Sequence, residues 1–249
     1  MIYQCESFLR NIIPYVKKFY IMTVVAINQP GYLPWSGFFK RIMASDVFVF
    51  LDDVQYLKKD WQNRNKIRTS HEWIWLSVPI KKNNLEKLNL VEIDYSENWN
   101  KIHKKSIKYN YVKAEFFDNY WPFFDKLFDK KFKYLVELNM EIINFVLEEL
   151  EINTTTYRSS EFNYSGKKSD LNLSICKKFN ATEYLSGELG VDYLKTDDFK
   201  NNNIKVKFAD FQHPTYQQCF EPFIPNMAII DLLFNHGSKA KKIISNSKI

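Results

Sequence analysis

His213 is the residue whose type and surroundings best suit proton transfer. It lies in the segment Phe211-Gln-His-Pro-Thr-Tyr216, directly after a predicted strand. A neutral imidazole with a pKa of about 6.5 can accept a proton close to neutral pH. The other histidines are expected in a turn, on a lysine-rich helix and at a helix C-terminus: His71, His103 and His236. An ordinary hydrogen-bonded loop histidine is the structural alternative for His213.

Three acidic residues could orient this base or hold a substrate amine. Asp52 and Asp53 follow the predicted strand Val47–Leu51, and alternation along a strand sends their side chains to opposite faces. One of the two is therefore expected to face a cleft, with a turn, a cap or a Mg²⁺ ligand as alternatives. Asp231 shares a helix face with apolar residues and needs a polar partner, which a loop histidine could supply.

Two loops follow predicted strands, where open α/β sheets bind their ligands. In Asn28–Trp35, Gly31 permits close approach of a ligand and the Gln29 amide can both donate and accept hydrogen bonds. Backbone N–H groups at the start of the following helix attract anions. The segment Ser186-Gly-Glu-Leu-Gly190 is a second such loop. A rigid loop with buried aromatic residues is the structural alternative for Asn28–Trp35.

The basic run Lys58–Arg68 mixes cations, amides and a tryptophan. Arg64 can hold a phosphate through two N–H groups, and Asn63 and Asn65 can hydrogen-bond to a sugar or a base edge. The alternative is a solvated hairpin edge protected from aggregation by its lysines.

The order of predicted elements indicates an α/β fold. A buried strand at Thr23–Asn28, a helix ending near Ser45 and a second buried strand at Val47–Leu51 form a strand–helix–strand unit, which favours a mostly parallel central sheet flanked by helices. A hairpin is expected at residues 65–80, a helical insertion at 95–150 with Pro122 starting or kinking a helix, and a final helix at 226–235. We expect one domain over residues 22–249, preceded by an N-terminal extension at 1–21.

Composition excludes several classes of protein. The chain has 249 residues, 45% of them hydrophobic and 17% aromatic, which is enough for a substantial core and excludes a disordered chain. Its apolar runs are shorter than the roughly 18 to 20 residues of a spanning helix, so no membrane span is expected. The three cysteines are odd in number and lack zinc-site spacing, which favours the cytoplasm and no metal site. The net charge of +6 would suit a polyanion, although an AT-rich coding bias produces the same composition.

Familiar catalytic motifs are absent. The sequence contains no phosphate-binding P-loop, dinucleotide fingerprint, serine-hydrolase elbow or zinc-protease motif. ATPase, dehydrogenase, serine-hydrolase and zinc-protease functions are therefore disfavoured, and the sequence leaves the cofactor unknown.

Several motifs in order resemble the WbqC-like protein family from about residue 23 to residue 237. They are Gln29-Pro-x-Tyr-Leu-Pro-Trp35, Asp46-Val-Phe-Val-Phe-Leu-Asp-Asp-Val-Gln55, Trp61-x-Asn-Arg-Asn65, Leu76-Ser-Val-Pro79, His213-Pro-x-Tyr-x-Gln218 and Asn226-x-x-Ile-Ile-Asp231. The resemblance implies a role in surface-polysaccharide biosynthesis, especially of the O-antigen of lipopolysaccharide. It also implies an aminoacyl transferase, with glycine suggested as the acyl group, that acts on the amine of a nucleotide-linked amino sugar to give an amide.

This chemistry assigns roles to the candidate residues. His213 would take the proton from the amine, and Asp231 or one of Asp52 and Asp53 would orient it or hold the amine. The donor could be a charged tRNA or an acyl group activated with ATP, and a non-catalytic nucleotide-sugar-binding or scaffold protein is the alternative function. We expect segments near positions 30, 53, 64 and 213 to meet around one cleft. The expected substrate-binding residues are Gln29, Tyr32, Trp35, Asp52, Trp61, Asn63, Arg64, Asn65, Ser186, Tyr216 and Asn226.

Overall fold

The first strand–helix–strand unit has the predicted form. The computed structural model describes residues 22–58, 60–81 and 87–249, so the expected N-terminal extension lies outside the described residues. Strand β1 (Val24–Asn28) leads into helix α1 (Ser36–Met43) and then strand β2 (Val47–Phe50). The apolar side chains that run continuously through β1 and β2 are buried on both faces of the sheet, as parallel strands require.

Five parallel strands form the central sheet. Strands β5 (Thr155–Arg158), β6 (Glu183–Ser186) and β7 (Lys205–Phe208) complete it in the order β5-β2-β1-β6-β7. The predicted α/β fold with a parallel sheet is therefore confirmed. The chain builds the sheet outward from β1 through β2 to β5, and then returns to the other side of β1 for β6 and β7. This reversal leaves a crevice between the carboxyl ends of β1 and β6, the position where such folds bind ligands.

Helices cover both faces of the sheet. Alternate residues of β1 divide between two apolar cores, with Ala26 in one and Val25 and Ile27 in the other. The larger core packs α1 together with α2 (Trp99–Tyr111), α3 (Phe117–Asp129), α4 (Leu135–Glu149), α7 (Ile229–His236) and α8 (Lys239–Asn246). The smaller core packs α5 (Ser169–Lys178) and α6 (Thr196–Asn201).

The predicted hairpin is also present. Strand β3 (Arg64–Arg68) pairs with β4 (Trp73–Ser77) in antiparallel register, with Lys66 opposite Trp75. Three short 3₁₀ helices complete the described elements, at Leu88–Leu90, Ser159–Glu161 and Glu188–Asp192. None of the described helices has both the length and the apolar character that crossing a membrane requires.

Three boundaries differ from the sequence-based expectation. The last predicted helix begins at Ile229 rather than at residue 226, because Asn226 takes a left-handed backbone conformation with φ 61°. The helix that stops at Gly237 is not the final one, because α8 follows it and buries Ala240 and Ile244 one turn apart. Pro122 lies inside α3 rather than at its start, because the helix already begins at the buried Phe117.

Candidate functional site

The loop between β1 and α1 is fastened to the segment that precedes β3. The Tyr32 backbone N–H donates to the Trp61 carbonyl at 3.1 Å, and the Gln62 amide nitrogen donates to Gln29 Oε1 at 2.6 Å. Gly31 lies at the contact, where an added Cβ would stand 3.0 Å from the Trp61 carbonyl oxygen. A side chain at position 31 would therefore push the two segments apart.

Two buried amides fix the backbone of the same loop. Asn139, on α4, donates to the carbonyls of Pro30 at 3.1 Å and Gln62 at 2.8 Å, and its side chain is fully buried. Asn65 donates to the Leu33 carbonyl at 2.6 Å. Leu33 has φ 46°, a conformation that is costly for a branched apolar residue and that needs such support. The helical insertion thus contributes directly to the shape of the loop.

The segment that precedes α7 connects the loop to the hairpin. The Ala228 N–H donates to the Lys66 carbonyl at 2.8 Å, and the Ile229 N–H donates to the Pro34 carbonyl at 2.9 Å. These bonds bring Asn226 to the same surface as the loop and the hairpin.

Two adjoining cavities lie between these segments, and Trp35 and Trp61 line both. The smaller, of about 100 Å³, is lined by polar groups of Gln29 and Gln62 among others. The larger, of about 210 Å³, is bounded by the two indoles together with Lys66 and Asn226. The sequence candidates that line one or both cavities are Gln29, Trp35, Trp61, Asn65 and Asn226.

His213 lies directly behind Trp35. The two rings stack with centroids 6.3 Å apart and an interplanar angle of 15°. His213 Nδ1 is 2.9 Å from the Pro214 carbonyl oxygen, which can only accept, so Nδ1 carries the proton. Nε2 then presents a lone pair, and Ser36 Oγ lies 3.3 Å from it. Burial lowers the pKa of His213, with the Pro214 carbonyl acting in the opposite direction, and the lowered pKa favours the neutral ring.

Asp231 is buried in a network that excludes His213. Its carboxylate accepts hydrogen bonds from the Tyr111 hydroxyl at 2.9 Å, the Tyr216 hydroxyl at 2.9 Å and the Gln218 amide at 2.8 Å. Burial raises the pKa of Asp231, while these three donors lower it. The sequence-based pairing of Asp231 with a loop histidine is therefore not formed. Instead Asp231 holds Tyr216, whose ring lies 5.9 Å from that of His213.

Asp52 and Asp53 belong to a separate polar cluster at the carboxyl ends of β2 and β5. The fully buried Asp52 accepts from Arg158 Nη2 at 2.7 Å and from Ser160 Oγ at 2.8 Å. Asp53 accepts from the hydroxyls of Ser159 at 2.5 Å and Tyr164 at 2.6 Å. Neither carboxylate lines the two cavities around Trp35. The prediction that position 53 lies around one cleft with positions 30 and 213 is therefore wrong for the Asp53 side chain.

The remaining candidates are held by contacts within the protein. Tyr32 is fully buried, and its hydroxyl lies 2.8 Å from His103 Nδ1. Asn63 donates to the Val78 carbonyl at 2.9 Å, and the Arg64 guanidinium stacks 4.3 Å above the Trp75 ring. The Trp75 ring centroid lies 5.4 Å from that of Trp61. Ser186 lies at the β1–β6 crevice, at the end of β6.

Comparison with known proteins identifies the relatives of this fold. The model of the WbqC-like protein family matches residues 29–243, which include all the candidate residues. The chain belongs to the WbqC-like protein family. The resemblance drawn from the motifs is thereby confirmed.

The WbqC-like chain also matches a protein of Mycobacterium tuberculosis (strain ATCC 25618 / H37Rv) named "Uncharacterized protein Rv1507c". The two are 32% identical over 223 residues, which cover 88% of this chain and 96% of that protein. No solved structure matches the chain.

Sequence reasoning missed three residues of this WbqC-like site: Ser36, Gln62 and Asn139. Gln62 occupies the variable position of the motif Trp61-x-Asn-Arg-Asn65, and Ser36 directly follows another motif. Asn139 gave a usable signal, because it is a polar residue between apolar neighbours on the buried face of a predicted helix.

Proposed function

We propose that this WbqC-like protein is an aminoacyl transferase that forms an amide on the amine of a nucleotide-linked amino sugar. Glycine is the acyl group that we favour, and the product enters surface-polysaccharide biosynthesis, such as that of the O-antigen, in the cytoplasm. The observation that carries the proposal is His213, a partly exposed, neutral imidazole with a defined tautomer that stacks on the indole shared by both cavities. Family membership supports the substrate class through the resemblance described above.

The proposed reaction is acyl transfer from an ester or an acyl phosphate to an amine. The amine nitrogen attacks the acyl carbon, a C–N bond forms and the bond from carbon to the leaving oxygen breaks. His213 Nε2 accepts the proton that the nitrogen loses, and returns it to the leaving oxygen when that oxygen is an alcohol. Ser36 Oγ lies 3.3 Å from Nε2 and is buried, and neither Ser36 nor His213 lines the cavities. The proposed reaction therefore requires Trp35 to move, so that the amine can replace Ser36 Oγ at Nε2.

The two cavities supply binding groups for a sugar. Gln29 accepts from Gln62 through Oε1, which directs its amide nitrogen to a substrate hydroxyl. The indoles of Trp35 and Trp61 provide apolar walls, and 44% of the surface of Trp61 is exposed. Lys66 and Asn226, at the edge of the larger cavity, provide polar contacts for the part of the ligand that extends toward solvent.

Asp231 acts in this proposal as a positioning residue. It does not reach the cavities, but it holds Tyr216 and Gln218, which belong to the segment that carries His213. The Gln218 amide also forms two 2.9 Å hydrogen bonds with the backbone of Ile224. Gln218 is therefore held by both Asp231 and Ile224. Asp52 and Asp53 fix the neighbouring strand ends in the same way.

A non-catalytic nucleotide-sugar-binding protein is the second candidate function. The observation that favours it is that Asp52, Asp53 and Asp231 are all engaged in other networks, so that none of the three orients His213. A histidine whose Nδ1–H is held by a backbone carbonyl is a weaker base than one whose Nδ1–H is paired with a carboxylate.

Mass spectrometry of the reaction products tests the proposal. Purified protein is incubated with nucleotide-linked amino sugars that carry a free amine, and with either glycyl-tRNA or glycine plus ATP as the acyl source. We expect the sugar nucleotide to gain the mass of a glycyl group in one of the two reactions, which also identifies the donor. Binding of the sugar nucleotide without an amide product from either donor would favour the binding protein.

A further inference from the structure

Arg41 reaches into the crevice between β1 and β6. Pairing of the two strands ends at Ala26 with Leu185, and the next carbonyl, that of Ile27, instead accepts a 2.6 Å hydrogen bond from Arg41 Nη2. On the other side of the crevice, a Cβ added to Gly187 would lie 2.7 Å from Arg41 Nη1. The guanidinium therefore spans the crevice, and a side chain at position 187 would require it to shift.

Arg41 has no carboxylate partner among residues 22–58, 60–81 and 87–249. None of the ion pairs found there includes it, and its buried Nε lacks a hydrogen-bond partner in the same residues. Burial lowers the pKa of Arg41, while the nearby Tyr184 and Tyr193 raise it. A cation withdrawn from water is costly unless an anion accompanies it. The crevice thus holds a positive charge that a ligand can balance.

Hydroxyl groups surround this charge. The Asn172 amide donates to the hydroxyls of Tyr184 at 3.0 Å and Tyr193 at 3.3 Å, so each hydroxyl keeps its own proton for donation. Ser186 Oγ adds a third hydroxyl, which donates to the Gly187 carbonyl at 3.1 Å and must turn from it to reach a ligand. A Cβ on Gly190 would be only 2.0 Å from Ser186 Oγ, so Gly190 packs directly against this side chain.

We propose that Arg41, Ser186, Tyr184 and Tyr193 form a binding site for a phosphoryl group. The fork of a guanidinium matches two phosphate oxygens, and a tetrahedral phosphoryl group has further oxygens to accept from hydroxyls. Tyr193 is 43% exposed, whereas Ser186 and Tyr184 are buried, so Tyr193 marks the side of the site that faces solvent. The inference deepens the proposed function, and it rests on that function for the identity of the ligand as a nucleotide sugar.

The position of the site suits such a ligand. Ile27, which holds Arg41, directly precedes Asn28, a residue that lines the smaller cavity. A diphosphate bound at Arg41 would therefore place its sugar toward Trp35 and Trp61. This assigns phosphate binding to the sheet crevice rather than to Arg64, whose guanidinium stacks on Trp75.

Calorimetric titration with inorganic pyrophosphate tests the site without assuming a base, a sugar or an acyl donor. We expect the wild-type protein to bind pyrophosphate, Arg41→Gln to weaken binding by about 10- to 100-fold, and Tyr193→Phe to weaken it by about 3- to 10-fold. Lys40→Gln is the matched control, because it removes the same charge from the adjacent position, where Lys40 Nζ contacts the Ser245 carbonyl. Binding to this control should change by less than about twofold.

The variants also separate folding from binding. Thermal unfolding of each variant without ligand shows whether Arg41→Gln folds. If Arg41→Gln does not fold, Tyr193→Phe tests the site instead, because this substitution removes the hydroxyl and keeps the exposed ring. Pyrophosphate binding that is absent in the wild type, or equal in the wild type and Tyr193→Phe, would overturn the inference. Stronger Arg41-dependent binding of acetate than of pyrophosphate would replace the phosphoryl assignment with a carboxylate.

Failure of this inference differs from failure of the proposed function. Arg41-dependent pyrophosphate binding in a protein that forms no amide would contradict acyl transfer alone. Amide formation with unchanged pyrophosphate affinity in Arg41→Gln would contradict the phosphoryl site alone.

Discussion

The indole of Trp35 and the imidazole of His213 stack with ring centroids 6.3 Å apart and an interplanar angle of 15°. The two residues are distant in the sequence, since Ser36, the neighbour of Trp35, precedes His213 by 177 positions. This contact links the loop after β1 with the loop that follows β7. Trp35 lines both cavities and His213 lines neither, so in the proposed reaction the amine reaches Nε2 only past the Trp35 ring. The stack therefore connects substrate binding to the placement of His213.

Replacing the two tryptophans should separate these two roles. Trp35→Leu removes a cavity wall and the support of His213, so we expect kcat for amide formation to fall by about 10- to 100-fold and KM to rise. Trp61→Ala removes only a cavity wall, so KM should rise with kcat nearly unchanged. Steady-state kinetics on both variants provide the measurement. Equal effects of the two substitutions on kcat would show that the stack has no role in the reaction.

The Asn139 amide should contribute to the stability of the fold. Asn139→Leu keeps a similar volume but leaves the carbonyls of Pro30 and Gln62 without their buried donor. We expect the free energy of unfolding to fall by about 2 to 4 kcal/mol, measured by urea denaturation. Asn144→Leu on the exposed face of the same helix is the control, with an expected change below about 0.5 kcal/mol. A loss in the control as large as that in Asn139→Leu would refute the role of the amide.

The buried carboxylate of Asp231 should be hard to replace even by an isosteric amide. Asp231→Asn places an NH₂ donor against three existing donors, from Tyr111, Tyr216 and Gln218. Chemical denaturation should show a loss of about 2 to 5 kcal/mol. The exposed Asp118→Asn serves for comparison and should change stability by less than about 1 kcal/mol. If Asp231→Asn is as stable as wild type, the network does not hold the segment of His213.

Acid should destabilise the fold through His103. Burial lowers the pKa of His103 to about 4, with the Ser77 backbone acting in the opposite direction. Because the unfolded histidine titrates at about 6.5, the unfolded state gains a proton first, and stability is lost as the pH falls from about 6.5 toward 4. In His103→Gln, which cannot take up a proton, the free energy of unfolding should fall less over this range. Parallel pH curves for the two proteins would contradict this assignment.

Sequence alone predicted which loops of the candidate site strand order would bring to one sheet edge. A strand–helix–strand unit with buried strands forces a parallel sheet, so Gln29 and Ser186 were expected at the same sheet edge. Motif spacing added Trp35, Trp61 and Asn226, which do line the cavities.

The sequence could not predict which side chains pair with the candidate carboxylates, because those partners are far away in the sequence. The direction of Asp52 depends on Arg158, 106 residues later, which captures the carboxylate at the edge of β5. Asp231 likewise bonds to Tyr111, 120 residues earlier, rather than to His213. The helix α8 was missed because its apolar residues are only Ala240, Ile243 and Ile244 among lysines and polar residues. Arg41 was overlooked because its contacts depend on the position where β1 and β6 separate, which the sequence does not show.

The most direct test of the account compares His213→Ala with His71→Ala in the amide-forming reaction. His71 is an exposed turn residue, so its replacement controls for the loss of an imidazole. Both variants should bind the sugar nucleotide like the wild type, with kcat reduced by about 10²- to 10⁴-fold in His213→Ala and unchanged in His71→Ala. Full activity of a folded His213→Ala protein would contradict the central claim that this histidine is the base.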